Sequence, residues 1–310
     1  MIPHYASRYK YDDTTIEKVA TNRDPRLYVF LKKPGDINCF KNVNDVAGTH
    51  WTEIEPIPAM ITYVIEGTYV SGYTIRKGMT FDRSNCRNRG NGENACVVFR
   101  ATEALLNYME AQYMLTKDVN SGKIMEYWMK VREAAGFVGE SQNPQLPINA
   151  TDMSQEASDW GAWTAGKLLM DKNLYNIRRE RRCEMLSERL RDFDLKRWRS
   201  FDQLIDNPVH IEGFHVWNTP MAEWYPEAVT DGGVNANMSS PELSEYYRPH
   251  EVNMVNNSFA DGLTWRMAHY LDPLPLKQFL LTSPDYVSVD QSTLYQNPYW
   301  PTKSGVPATK

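Results

Sequence analysis

No run of this 310-residue chain approaches the ~20 consecutive apolar residues that a membrane-spanning helix needs. The longest candidate, Ala59 to Val64, already contains Thr62 and Tyr63. Excess positive charge is missing too. The 34 Lys and Arg against 39 Asp and Glu leave a net charge of −5 with both signs interspersed, so no basic face is available for nucleic acid. Cysteine is scarce: Cys39, Cys86, Cys96 and Cys183 include no Cys-x-x-Cys spacing, which argues against zinc and thioredoxin-type chemistry. Cys86 and Cys96 are close enough in sequence to pair, but scattered cysteines in a chain this long are more often buried thiols.

Catalytic signatures are equally sparse. A P-loop, a dinucleotide fingerprint and a G-x-S-x-G elbow are all absent. His210 and His215 stand five apart in a Pro/Gly-rich loop without an H-E-x-x-H helix, so no metal site is expected. Some pair among 39 acidic residues will meet a glycosidase's carboxylate spacing, but no motif nominates one. The reading is therefore of a non-catalytic protein with no cofactor. Its first residues, Met1 to Tyr5, lack the basic and apolar segments of a secretory signal. A cytoplasmic protein, or a chain that begins downstream of its natural start, would read this way.

What is present is a folded composition, 42% apolar and 24% charged. Three stretches differ in texture. Residues 1–95 are rich in Gly, Asn, Pro and Thr and read as loops with short strands, Tyr63 to Tyr73 alternating enough for a strand pair. Residues 96–205 are strongly helical. Residues 206–310 return to loops, broken by Pro208, Gly213, Pro220, Pro226, Gly232-Gly233, Pro241 and Pro249.

In the middle stretch, Val98, Ala101, Leu105, Tyr108, Ala111 and Leu115 share one helical face, and Phe99, Leu106, Met109 and Tyr113 a second flank. A helix apolar on both flanks is expected to lie between neighbours. Ser121-Gly122 breaks it, and Ile124, Tyr127, Trp128, Val131 and Ala135 define a second helix, stopped by Gly136 at its C′ position. Helices are predicted over 97–117, 123–135, 160–190 and 192–204, making a mainly α fold of tetratricopeptide-like antiparallel pairs, irregular flanks and minor β. The usual tetratricopeptide signature is absent.

A dense charge run crosses the third helix. Glu180, Glu184 and Glu188 fall on one stripe, with Arg181, Arg191 and Arg197 near enough to clamp carboxylates. Glu103 and Glu110 supply a polar stripe on the first helix. The ordinary meaning of such a run is a solvated face. The expectation here is a partly buried structural network of Glu184, Glu188, Arg181 and Arg191 tied to Glu103 or Glu110.

The segment from Glu180 to Trp198 resembles the signature E-R-R-x-E-L-x-x-E-G-x-R-x-x-D-L-x-R-W of the SusD/RagB family of outer-membrane nutrient-binding lipoproteins. Arg23-Asp24-Pro25-Arg26, Ser71-Gly72-Tyr73 with Lys77-Gly78, Phe99 to Glu103, Glu110-Ala111, Val131 to Gly136, Leu274-Pro275 and Leu294 to Pro298 resemble further family blocks, in the family's order. Two departures stand out: Arg189 and Tyr299 occupy positions where the family usually has Gly. Family members are typically much longer, so the resemblance implies that residues 1–310 match the family's C-terminal portion, one stacking face being left without its neighbour. It also implies a surface lipoprotein that caps a TonB-dependent (SusC-like) outer-membrane transporter and binds its cargo, usually a glycan. Neither a signal peptide nor a lipid-attachment cysteine is found in this chain.

Sugars stack their C–H faces on Trp and Tyr, commonly on loops held by a rigid scaffold. Trp51, Trp217, Trp224, Tyr225, Tyr246 and Tyr247 are the candidate ligand residues, with Asn235, Asn237 and Asn253 nearby in sequence. The bland alternative is that each of these rings pins a loop to the core. Trp128, Trp163 and Trp198 follow helical patterns and read as core. Peptide capture by the same architecture, or a helical protein-binding scaffold, are the other functional readings.

Overall fold

The computed structural model describes residues 11–21, 23–39, 53–61, 69–79, 95, 97–137 and 151–310. The mainly α reading holds, with only short strand pairs beside the helices. Trp51, Cys86, Cys96 and most of the alternating segment from Tyr63 to Tyr73 lie outside the described residues. Among those described, no helix is long and apolar enough to cross a membrane.

Near the start, Thr15 caps α1 (Ile16–Ala20), and Asp24 caps α2 (Pro25–Phe30), whose first residue is a proline preset for that position. Strand β1 (Leu31–Lys32) follows directly. The pair β2 (Ile37–Cys39) and β3 (Glu53–Ile54) is antiparallel, and β4 (Thr74–Ile75) returns antiparallel to β1. Gly72 precedes β4 at φ +80, where a Cβ would run into the ring of Phe214 at 2.1 Å. Only glycine allows this close approach, which docks the early segment onto the later loops through Phe214 N–H to Ser71 O, 2.9 Å.

The helical stack begins with α3 (Ala101–Thr116). It buries Leu106, Met109, Glu110 and Tyr113, one stripe at 3.6-residue spacing. The other flank does not find a neighbour. Val98 is 92% and Leu115 81% exposed, and Ala101, Tyr108 and Ala111 are also at the surface, so the helix packs against both of its neighbours through one stripe and leaves the other flank open. Residues 97–100 are not helical; Arg100 is extended and α3 starts after it. After a left-handed cap at Lys117 the chain turns into α4 (Ile124–Ala134), which buries Ile124, Trp128 and Val131. Gly136, at φ +89, ends it: its N–H reaches Glu133 O at 2.9 Å and Phe137 N–H reaches Arg132 O at 3.0 Å, a Schellman motif.

The helix, or two joined helices, expected over 160–190 is corrected. A 3-10 turn (Trp160–Ala162) leads into a hairpin of β5 (Trp163–Thr164) and β6 (Leu168–Leu169), turned by Gly166 and Lys167 at positive φ. Trp163 is therefore a half-buried strand residue whose indole N–H donates to Ala157 O, and not a helical core residue. Helix starts only where Asp171 caps two backbone N–H groups of α5 (Lys172–Glu184). Left-handed Ser187 and Arg189 end that helix, α6 (Arg191–Arg197) follows, and a left-handed Arg199 converts the rest into a 3-10 turn (Ser200–Leu204). Farther on, α7 (Leu276–Thr282) stands alone among loops and 3-10 turns.

Three apolar centres result. Leu106, Met109, Tyr113, Ile124, Trp128 and Ile177 fill the stack. Leu195, Trp198, Phe201 and Leu204 form a second centre beside it. Phe214, Val216, Met221, Tyr225, Met238 and Tyr247 form the third, joined by Ile16 and Met60 from the early segment.

Candidate functional site

Helices α3 and α5 run antiparallel, and their side-chain contacts show it. Tyr113 meets Asp171 (2.8 Å), Glu110 meets Arg178 (2.9 Å), Asn107 meets Arg181 (2.8 Å) and Arg100 meets Glu184 (2.9 Å), each step back along α3 matching a step forward along α5. The polar residues on this line form alternating chains of charge. In the first, Glu110 Oε1 accepts from Arg178 Nε at 2.9 Å, Arg197 Nη1 at 3.0 Å and the Trp198 indole at 2.8 Å, while Oε2 accepts from Arg197 Nη2 at 2.7 Å. Arg197 passes on to Asp194 (2.9 Å), Asp194 accepts from Arg181 (2.8 Å), and Arg181 ends at Asn107 and, at 3.6 Å, at Glu103. Burial works to raise the pKa of Glu110, but the bonds and charges of Arg197 and Arg178 outweigh it and hold the carboxyl below its ordinary value.

A second chain ties the early segment to the end of α5. Arg132 donates to Glu180 at 2.7 Å, and Arg26 bridges Glu180 (2.8 Å) and Glu184 (3.1 Å). Arg100 reaches both Glu184 (2.9 Å) and Glu188 (3.0 Å). Lys77 lies against Glu188 and also donates to the Glu184 carbonyl at 2.6 Å, so the exposed end of the helix receives cations where its dipole favours them. Burial tends to raise Glu188 as well, and Arg100 and Lys77 prevail and lower it. A third group holds Arg182 on Asp159 at 2.6 Å with Tyr175 at 2.8 Å and Arg191 at 3.9 Å.

The residues expected in one network are thus divided. Glu110 belongs to the first chain, with Arg181 and Glu103; Glu184 and Glu188 belong to the second; Arg191 sits with Asp159 and contacts neither Glu103 nor Glu110. Sequence reasoning missed Arg26, Lys77, Arg100, Arg178 and Asp194. Four of these, Arg26, Lys77, Arg100 and Asp194, stood in segments already singled out by resemblance, but nothing in the spacing of the three cations names an acid 84 or more residues away.

The candidate ligand residues separate by burial. Tyr225, Tyr246 and Tyr247 are buried, which corrects their assignment as stacking platforms: Tyr225 donates to Pro58 O at 2.9 Å, and Tyr246 bonds Asp13 and stacks on His215 at 4.7 Å. Loops have no periodicity from which this inward direction could be read. Trp217 and Trp224 are half-buried, their inner faces against the third apolar centre, and the Trp217 indole donates to Ser239 O at 3.1 Å. Asn235 and Asn253 are exposed, whereas Asn237 is engaged with the backbone of Val229 and Glu227. Each histidine of the loop faces a carboxylate, His210 on Glu251 and His215 on Asp13 at 3.0 Å. Among the described residues, no group of three or more His, Cys, Asp or Glu is arranged to hold a metal.

A family model for the SusD family matches residues 2–300. The chain belongs to the SusD family. That membership brings a nutrient-binding, glycan-capturing role in general, with association with SusC-like transporters and an outer-membrane surface location typical of the family. No curated protein and no solved structure matches the chain. Within this SusD-family chain the two departures from the usual glycine are both left-handed, Arg189 at φ 60 and Tyr299 at φ 70. The backbone has kept the glycine conformation after losing the glycine, at a cost of roughly 1–2 kcal/mol per residue.

Proposed function

We propose that this SusD-family chain captures a glycan without catalysis at the bacterial outer surface and presents it to a TonB-dependent transporter. The observation that carries the reading is a pair of half-exposed indoles, Trp217 and Trp224, on irregular loops that are fixed from behind by a buried core. A sugar ring stacked on such a face gains about 0.5–1.5 kcal/mol beyond area burial, and a prefixed ring loses little entropy on binding. The charge chains are assigned a structural role, setting the register of α3 against α5. Glu110 and Asp159 are buried, bonded by arginine and held below ordinary carboxylate values, and so are poor proton donors at neutral pH. Burial acts against that lowering in both.

Affinity gels cast with single polysaccharides test the proposal. Retardation by one polysaccharide, lost in the Trp217→Ala/Trp224→Ala double variant with the helical signal unchanged, is the expected result. Unchanged retardation moves the site, release of sugar would identify an enzyme, and binding confined to peptides would replace the glycan.

A further inference from the structure

The 206–310 region carries a second aromatic surface that no motif nominated. The 3-10 turn Met267–Tyr270 brings Trp265, His269 and Tyr270 together. Trp265 stacks on buried Phe201, centroids 4.5 Å apart and planes 30° apart, and meets Tyr270 and His269 edge-on at 5.2 and 5.5 Å. His269 lies 5.7 Å from Trp300, whose indole N–H reaches Ala268 O at 2.9 Å and Leu271 O at 2.8 Å. The run has a buried back at Phe201 and an open front, His269 being exposed and Trp265 and Trp300 half-buried.

We infer that Trp265, His269 and Trp300 form a ledge on which successive sugar rings of a glycan stack, apart from Trp217 and Trp224. The inference rests on the glycan-capture reading and gives it a second location. Trp128 and Trp198, which follow helical core patterns, are fully covered, whereas these rings are not. Here three rings follow one another in steps of 5.5 and 5.7 Å, and the outermost is locked by its own N–H. Such prefixed rings bind with little loss of rotamer freedom. Hydroxyl partners stand at the rim. Exposed Arg266 has no carboxylate partner among the described residues. Lys196, 5.9 Å over the Trp265 ring, pairs among the described residues with Asp192 on its own helix turn, a pair that sugar hydroxyls can replace.

The test uses the polysaccharide that retards the wild-type protein, titrated into protein carrying 15N-labelled tryptophan, with single Trp→Phe variants assigning the indole resonances. The Trp265 and Trp300 signals should shift saturably. His269→Ala should weaken binding ~2- to 10-fold, the range expected for one stacked ring, and Trp300→Ala at least as much. If Trp300→Ala does not fold, the wild-type resonances and His269→Ala decide. Retarded wild-type protein with unmoved Trp265 and Trp300 signals and unchanged His269→Ala affinity overturns the ledge alone. Failure of every polysaccharide to bind overturns the glycan-capture reading, and the ledge with it.

Discussion

The helical stack and the 206–310 loops are both held by long-range polar bonds, but of different kinds. In the stack the bonds run from charge to charge: Arg178 and Arg197 to Glu110, Arg181 to Asp194, Arg26 to Glu180 and Glu184. In the loops a second kind is added to such pairs as Arg248 with Glu212 and Glu251, running from aromatic side chain to backbone: Trp217 to Ser239 O, Tyr225 to Pro58 O, Trp300 to Ala268 and Leu271 O. Regular helices satisfy their own backbone, so buried side chains must find each other. Irregular segments leave carbonyls without partners, and a donor with an apolar body both covers and satisfies them.

The largest expected effect breaks the first kind of bond. Glu110→Ala strands Arg178, Arg197 and the Trp198 indole around an empty site, and urea unfolding followed by circular dichroism should show a loss of about 3–5 kcal/mol. Arg181→Ala should approach it. A loss below about 1 kcal/mol for both would reduce the network to a solvated face.

Why that network was only half legible follows from the same contrast. Periodicity exposed the polar stripe of Glu103 and Glu110 and the run from Glu180 to Trp198, because helical spacing turns sequence into direction. It did not say which flank of α3 is covered, since Leu105 and Leu106 are equally apolar and only a neighbouring element decides between them. The hairpin at Trp163–Leu169 was hidden because a helix over 160–190 runs through Gly161 and Gly166, and the Asp171 cap that starts α5 was not used. In the loops the candidate site was legible by residue type alone. Three of the six aromatics turned out to face inward, and the ring run at Trp265 depends on chain segments that meet only in space.

A second prediction separates the regions by pH. Glu110, Glu188 and Asp159 are lowered in the folded state, so each contributes stability that is fully present above its unfolded pKa, about 4. That stability is lost as pH falls through the folded values. The bonds of Trp217, Tyr225 and Trp300 end on backbone carbonyls and do not titrate there. Hydrogen exchange between pH 5 and 3 should therefore loosen the α3 and α5 amides before those of Phe214 and Tyr247; simultaneous loosening would erase the distinction. More modestly, Tyr225→Phe leaves the Pro58 carbonyl without its donor and should cost about 1–2 kcal/mol in the same urea assay, with the helical signal unchanged. The smallest effect has the opposite sign. Arg189→Gly relieves a left-handed residue and should stabilise by up to about 1 kcal/mol, the gain being partly offset by glycine's greater freedom when unfolded.

The second charge chain also sets a timetable for the ribosome. Arg26, Lys77 and Arg100 close on Glu184, which is synthesised 158, 107 and 84 residues after them. At about 5–20 residues per second, these three cations wait roughly 4–30 s for the acid they are built to hold. Until Glu184 and Glu188 emerge, Arg26 has only Asp24 beside it, at 2.6 Å, for an acidic partner. Arg26, Lys77 and Arg100 therefore reach Glu184 and Glu188 only through a helix end that is made nearly last of the stack.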